Sequence, residues 1–302
     1  MGRSDFESQQ YKLYLESPYL SHLSNEELFE RERHLMEAWT TLGTQGKISF
    51  GKPEKHRGNF RLIVSLMHTN FESAIRGYPK APKWVDAALP KTKNINQNRL
   101  QRMNALLSRY ESCLFKFGQR EFLEQLSFKV SLASSFDDKS LHPAQRDNEL
   151  SRAYKPHPSL GTSPFNRGSY EKPIMERYRV DASFDYYVFC LSRRADLRMF
   201  GDFGADAVLI IKNKQALQQG LKRKLEKELK LSRILSAPVS YYDDIRDAPS
   251  GLEPPELAKH FRFFYQQEYR IAFIPQISGA RLNEHFFFEL PELRESTELV
   301  IF

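Results

Sequence analysis

The sequence is poor in cysteine, in long apolar runs and in the short motifs that announce a metal or nucleotide site. Only two cysteines occur in 302 residues, Cys113 and Cys190. Both stand in apolar contexts, which predicts buried thiols in a reducing compartment and excludes a disulfide framework. The eight histidines are scattered, with no His-x-His or His-Glu-x-x-His pattern and no Cys/His cluster of zinc spacing, so no metal site is expected. No apolar stretch approaches the roughly 20 residues that cross a bilayer. Mean hydropathy is −0.58, and no membrane partner is expected. The opening Met1-Gly2-Arg3-Ser4-Asp5-Phe6-Glu7 has no apolar leader region, and Phe6 stands where myristoylation wants Ser or Thr. A cytoplasmic protein is the expectation. Internal repeats and low-complexity tracts are absent.

What is present is a hydrophobic content of 40% that includes 23 phenylalanines, enough for a sizeable core and suited to β-rich packing. The formal charge of +7 and isoelectric point near 9.2 favour a polyanionic partner, RNA or DNA or a nucleotide.

Ser24 followed by Glu27 forms a capping box. Leu28, Phe29, Leu35, Met36, Trp39 and Leu42 share one helical face, and Gly43 and Gly46 end the helix. An N-terminal helical region, 1–45, is thus expected before a single α+β unit, 46–302. Lys47 to Phe50 reads as a strand. The basic loop Gly51 to Gly58 is either a phosphate cradle or a surface turn, and it lacks the Walker spacing. Arg61 to Met67 fits strand or helix. Leu100, Met103, Leu106, Leu107, Tyr110, Leu114 and Phe117 predict a helix over 98–117, extended by Glu121 to Leu126 into a helical insert near 98–126. Ser127 to Ala133 alternates like a strand. The Pro-containing segment 134–178 reads as an insertion or a cover over an active site.

The central stretch, Tyr186 to Lys212, reads as strand, polar loop, strand. Tyr187 to Leu191 and Ala207 to Ile211 are short apolar runs suited to strands buried on both faces. Between them lie Ser192, Arg193, Arg194, Asp196, Arg198 and Asp202, either a site presented at strand ends or a solvated connection. Leu217, Leu221, Leu225 and Leu229 predict a basic helix from Ala216 to about Leu235, either an outer helix on one Leu stripe or an anion-binding one. Strands follow at Pro238 to Tyr241, Tyr269 to Ile274, His285 to Leu290 and Glu298 to Phe302.

Glu268 is the candidate catalytic carboxylate. Gln266, two residues earlier on an extended segment, faces the same side. A carboxylate beside an amide suits a reaction in which positive charge develops on a sugar. The plain alternative is an ion pair between Glu268 and Arg270. A nuclease reading needs a carboxylate-x-Lys pair on a strand, and Glu228-Leu229-Lys230 has that spacing within a predicted helix.

From Gly46-Lys47-Ile48-Ser49-Phe50 to about residue 275 the chain resembles a bacterial family catalogued as a domain of unknown function. The counterparts are Phe189-Cys190-Leu191-Ser192, Asp196, Phe200, Ala205 to Ile211, Val239-Ser240-Tyr241 and Gln266-Gln267-Glu268-Tyr269-Arg270. Phe200 stands where that family often has Trp, Gln266 where it often has Glu, and its early Lys-Tyr-Arg signature is absent. The same order is similar to the ADP-ribosyltransferase superfamily, though the Ser-Thr-Ser triplet of that superfamily is not found. That likeness implies two packed mixed or antiparallel sheets with NAD, as substrate, in the cleft between them. It implies Glu268 as catalytic glutamate, Gln266 as its acceptor-side partner and Ser192 beside the nicotinamide. It further implies an early basic residue on a strand, Arg57 ahead of His56 or Arg61, and Tyr187 among the cofactor-binding residues. The implied activity is ADP-ribosyl transfer, as by a toxin or antiviral defence effector. The alternative is a nucleic-acid-binding or nuclease effector without NAD chemistry, and a further class is a non-catalytic interaction module.

Overall fold

A computed structural model describes residues 3–42, 48–50, 57–78, 97–110, 112–156, 177–247, 254–276 and 282–302. Helix α1 (Arg3–Glu16) leads to α2 (Asn25–Trp39) and the short antiparallel pair β1 (Thr40–Leu42) and β2 (Ile48–Phe50). The capping box forms as expected: the Ser24 hydroxyl accepts from the Glu27 N–H at 3.2 Å, and the Glu27 carboxylate accepts from the Ser24 N–H at 2.9 Å. Helix α3 (Arg57–Ile75) resolves the strand-or-helix alternative over 61–67 in favour of helix. The helical layer therefore continues past residue 45 into α3. Tyr14, Tyr19, Leu20 and Leu28 form its core. Buried Arg31 on α2 grips Asp243 with two bonds of 2.8 and 2.7 Å and ties this layer to the rest of the chain.

The remaining elements build around one sheet. In order they are α4 (Gln97–Leu107), β3 (Leu114–Gly118), α5 (Arg120–Glu124), β4 (Ser127–Leu132), β5 (Ser151–Tyr154), β6 (Tyr178–Asp181) and β7 (Tyr187–Ser192). There follow α6 (Arg198–Asp202), β8 (Ala207–Ile211), α7 (Lys214–Glu228), β9 (Leu231–Pro238) and β10 (Ser240–Tyr242). The chain ends with β11 (Ala258–His260), β12 (Glu268–Pro275), β13 (His285–Glu289) and β14 (Thr297–Ile301). Eight strands form the main sheet in the order β13-β4-β7-β3-β8-β14, with β12 joining β7 to β9. Every pairing within it is antiparallel. The α+β class holds. In place of two packed sheets there is one large sheet, with β5-β6 and β10-β11 as separate small ladders.

Two expected helices stop early. The helix over 98–117 ends at Leu107, and Leu114, Phe115 and Phe117 instead belong to β3, between β7 and β8. Their spacing fits a helical face as well as a strand, and pairing of β3 with β8 over the whole of 114–118 decides it. The basic helix ends at Glu228, and Leu231 to Pro238 becomes β9, bonded to β12.

The alternation along each strand sends one set of side chains to each face. Tyr187, Phe189, Leu191, Leu209, Ile211, Ile271 and Phe273 pack under Leu217, Leu221 and Leu225 of α7. Each of these three leucines is fully buried, contributing about 1.5–3 kcal/mol apiece. On the opposite face Phe115, Phe117, Val208 and Ile210 meet Met103 and Leu107 of α4 and Met199 and Phe200 of α6. Further along that face, Tyr186, Val188, Ala272 and Ile274 form a smaller cluster with Ala133. Among the described residues no helix is long and apolar enough to cross a membrane.

Candidate functional site

The sheet forks at β7. One edge of this strand is paired with β12 from Tyr187 through Ser192. The other edge is shared by two strands: β4 takes Tyr187 and Val188, and β3 takes Ser192 alone. Over Phe189 to Leu191 that edge has no ladder partner among the described residues. A buried backbone carbonyl left without a donor is costly, and Lys116 of β3 supplies one. Its ammonium donates to the Cys190 carbonyl at 3.0 Å and lies 4.6 Å from the centre of the Phe189 ring. Burial lowers the pKa of Lys116 from its ordinary value.

A cavity of about 480 Å³ opens in this fork. Lys116, Lys129, Ser131, Cys190 and Ser192 line it from the strands, and Lys259, Gln266 and Glu268 from the segment leading into β12. Part of the long irregular segment closes over it, through Ser135, Phe136, Leu141 and Ala144.

The register places Glu268 directly across from Ser192, and Arg270 across from Cys190. These four side chains therefore lie on one face. Gln266 reaches the same place by another route. It ends a 3₁₀ turn, Phe261–Gln266, and is not on the strand as its spacing suggests. Gln267 then takes a left-handed backbone, φ 44°, before β12 begins at Glu268. A non-glycine residue in that conformation costs about 1–2 kcal/mol. The cost is offset by a backbone bond from Arg193 N–H to the Gln267 carbonyl at 2.8 Å and a side-chain bond from Gln267 to the Phe264 carbonyl at 2.8 Å. The outcome is that Gln266 and Glu268 converge on one ammonium, that of Lys259, at 3.3 Å and 2.8 Å. The Gln266 amide N–H also donates to the Ala144 carbonyl at 2.7 Å, fixing the covering segment to the site.

Glu268 belongs to a buried cluster of four charges. Its second oxygen accepts from Arg270 Nε at 2.8 Å. Arg270, fully buried, turns its other nitrogens to Glu149 at 2.8 and 3.0 Å and to the Glu256 carbonyl at 2.9 Å. Lys259 is 3.7 Å from Glu149. Two carboxylates thus balance two cations. Burial alone would raise the Glu268 carboxyl; the Arg270 and Lys259 charges overcome it and hold this group well below the usual carboxylate range. Burial prevails at Glu149, whose pKa is raised despite the same two cations. The Glu268 N–H donates to the Tyr241 hydroxyl at 2.7 Å, so backbone and side chain are both fixed.

Such a carboxylate stays ionised throughout the neutral range and cannot serve as a proton donor. It can accept hydrogen bonds through its remaining lone pairs and stabilise nearby positive charge. Cys190 is equally unsuited to nucleophilic work: burial pushes its thiol up to about 12. Both cysteines are free and half-buried, where full burial was expected.

The other expected site residues fare differently. Ser192 faces the cavity, but its hydroxyl lies 2.5 Å from the Arg194 carbonyl and 2.6 Å from that of Gln266, and accepts from the Arg194 N–H. It holds the end of β7 against the turn before β12. Tyr187 is excluded by parity: it stands on the apolar face beneath α7, fully buried, and donates to the Asn283 carbonyl at 2.7 Å. Arg57 begins a helix and is not on a strand; its side chain, like all of His56, lies outside the described residues. Arg61 is bonded to Asp247. Glu228 is the last residue of α7, so the carboxylate-x-Lys pair is not on a strand.

Three residues escaped the sequence reading. Lys259 and Glu149 sit in a three-residue strand and a loop that carry no periodic signal. Lys116 does lie in a Leu-Phe-Lys-Phe alternation, overshadowed by the helical spacing around it. No protein-family model, curated protein or solved structure matches this chain.

Proposed function

We propose that the chain is an NAD-dependent ADP-ribosyltransferase whose reaction takes place in the fork of the sheet. The observation that carries this reading is the register that sets Glu268 opposite Ser192 and brings both, with Gln266, to one cavity of about 480 Å³. A cavity of this size suits a ligand of nucleotide scale. The bond from the ribose anomeric carbon to the nicotinamide nitrogen breaks, and its electron pair leaves with neutral nicotinamide. The ionised Glu268 stabilises the positive charge left on the sugar and accepts from a ribose hydroxyl. An acceptor lone pair forms the new bond to the anomeric carbon, and its proton passes to water. The left-handed Gln267, wedged between Gln266 and Glu268, is the kind of local strain that accumulates at functional sites.

The test is turnover of adenylate-labelled NAD by purified protein, with lysate, RNA and DNA offered as acceptors. Glu268→Gln is compared with wild type, and thermal melts establish that both are folded. Loss of one electrostatic stabiliser lowers turnover by about a hundredfold or more. A second variant, Gln266→Ala, removes the amide beside Glu268 without adding a buried charge and lowers the ratio of transfer to hydrolysis. Absence of NAD consumption by folded wild type in every mixture, or unchanged turnover in Glu268→Gln, refutes the reading.

A second reading is favoured by the two ion pairs of 2.8 Å at Glu268. In it the four-charge cluster specifies the fold of a non-catalytic module. It requires that Glu268→Gln lower stability while no NAD chemistry exists to lose.

A further inference from the structure

A second cavity, of about 1120 Å³, opens at the same end of the sheet, around the strand ends and mostly on the opposite face. Its position follows from strand parity. Tyr269 and Leu114, which line it, point away from the face that carries Glu268. The Phe115–Ser192 pairing and the bond from Arg193 N–H to the Gln267 carbonyl form the wall between the two cavities.

The charged side chains that line it among the described residues are all cationic. Arg193 and Arg194, which follow β7, form one side, and Lys212 and Lys214, which follow β8, form the other. All four are exposed. Among the described residues no carboxylate lines the cavity. Lys212 meets Glu298 of β14 at 2.9 Å, and Arg193 meets the Gln267 amide oxygen at 3.3 Å. The floor is apolar and aromatic: Leu114, Ile211, Pro238 and the ring of Tyr269. Lys214 lies 5.7 Å from the centre of that ring, and Lys212 lies 5.5 Å from that of Tyr110.

We infer that this cleft binds a single strand of nucleic acid, with phosphates along the cationic rim and bases toward the apolar floor. Cations alternating with aromatic surface are the recognition chemistry for an unpaired strand. The net charge of +7 adds long-range attraction for such a partner. Binding stands independently of the ADP-ribosyltransferase reading; the assignment of the bound strand as ADP-ribose acceptor, across the shared wall from Glu268, rests on it.

The experiment is fluorescence anisotropy of a labelled single strand of about a dozen nucleotides, as DNA and as RNA, titrated at several salt concentrations. The proteins compared are wild type, Arg193→Gln/Arg194→Gln and Lys214→Gln. These residues are exposed, so the variants fold, and a melt checks this. Wild type binds with a strong salt dependence. The double variant loses about tenfold or more in affinity, and the slope of log K against log salt falls by about 0.7 for each phosphate contact removed. Lys214→Gln gives a smaller loss in the same direction. No binding at low salt, or equal affinity and slope in the double variant, overturns the inference. Displacement of the strand by an equal concentration of nucleoside monophosphate also overturns it, by showing a single-nucleotide site. Glu268→Gln serves as the control. Strand binding that persists there without NAD turnover in any protein refutes the transferase reading alone; NAD turnover without strand binding refutes this one alone.

Discussion

Replacing Arg270 by Met removes the one group on which the buried cluster depends. The Met side chain fills part of the space and takes away the bonds to Glu268, to both oxygens of Glu149 and to the Glu256 carbonyl. Two carboxylates, 2% and 4% exposed at their side chains, are left to share Lys259. Breaking a buried pair from one side costs about 3–5 kcal/mol. Cooperative unfolding carries an entropy of about 2.1 cal/mol/K per residue, which for 302 residues gives about 0.6 kcal/mol/K. The expected fall in Tm is therefore about 5–8 °C. The pH dependence sets this apart from a simple loss of packing. Glu149 already has a raised pKa, and without Arg270 it rises further. A folded-state pKa above the unfolded value means that the folded protein binds more protons, so stability declines as pH climbs through the folded pKa. The variant's deficit should accordingly be smaller at pH 5 than at pH 8. Adding Glu149→Gln to Arg270→Met should recover part of the loss, since it removes the carboxylate left uncompensated. Thermal denaturation of the four proteins of this cycle at both pH values checks it. A Tm within 1 °C of wild type, or strictly additive effects with no pH dependence, refutes the description of these residues as one charge-balanced unit.

His34 is held neutral, its pKa lowered to about 2 by burial and by His260, Arg33 and Arg262. The unfolded chain then binds the extra proton, so stability falls as pH drops below 6.5, by about 1.4 kcal/mol per unit; urea unfolding of His34→Gln between pH 7 and pH 5 should show a flatter profile than wild type. Tyr187→Phe should cost about 1 kcal/mol through the lost bond to the Asn283 carbonyl and leave NAD turnover unchanged, whereas a selective loss of turnover would return Tyr187 to the site. The Cys190 thiol, at about 12 against an ordinary 9.0, should react with iodoacetamide about a thousandfold more slowly than an unperturbed thiol and recover that rate on unfolding; mass-spectrometric labelling of Cys190 beside Cys113 reads this directly.

How far the sequence discloses the fold varies with the locality of the determinant. The capping box at Ser24 and Glu27 is read from four residues and forms as read. The strands at 127–132, 187–192 and 207–211 are also local, because short runs bounded by polar residues admit few alternatives. The failures share one cause. Leu114 and Phe117 extend a helical stripe from Leu100, and Leu231 to Leu235 extend another from Leu217. What stops each helix is a partner strand distant in sequence: β8 for the first, β12 for the second. No window of a dozen residues contains that information.

The candidate site divides along the same line, and the division bears on its chemistry. Glu268 and Gln266 attract notice as a carboxylate and an amide two apart, and both do reach one cavity. The reason expected was that residues two apart on a strand share a face. The structure shows a different one, a left-handed turn at Gln267 and a lysine between the two side chains. Tyr187 illustrates the converse: its neighbours Val188, Cys190 and Ser192 face the fork, and strand parity alone sends it to the other side. Glu149, Lys259 and Lys116 were invisible because each acts through a residue between 9 and 121 positions away. They decide the protonation state of the site and close the open edge of β7. An isolated carboxylate in a pocket would have invited a general acid or base; Glu268 between Arg270 and Lys259 is a fixed negative charge. Whatever the fork binds must use it as one. The pH dependence of any reaction there should carry no contribution from Glu268 in the neutral range.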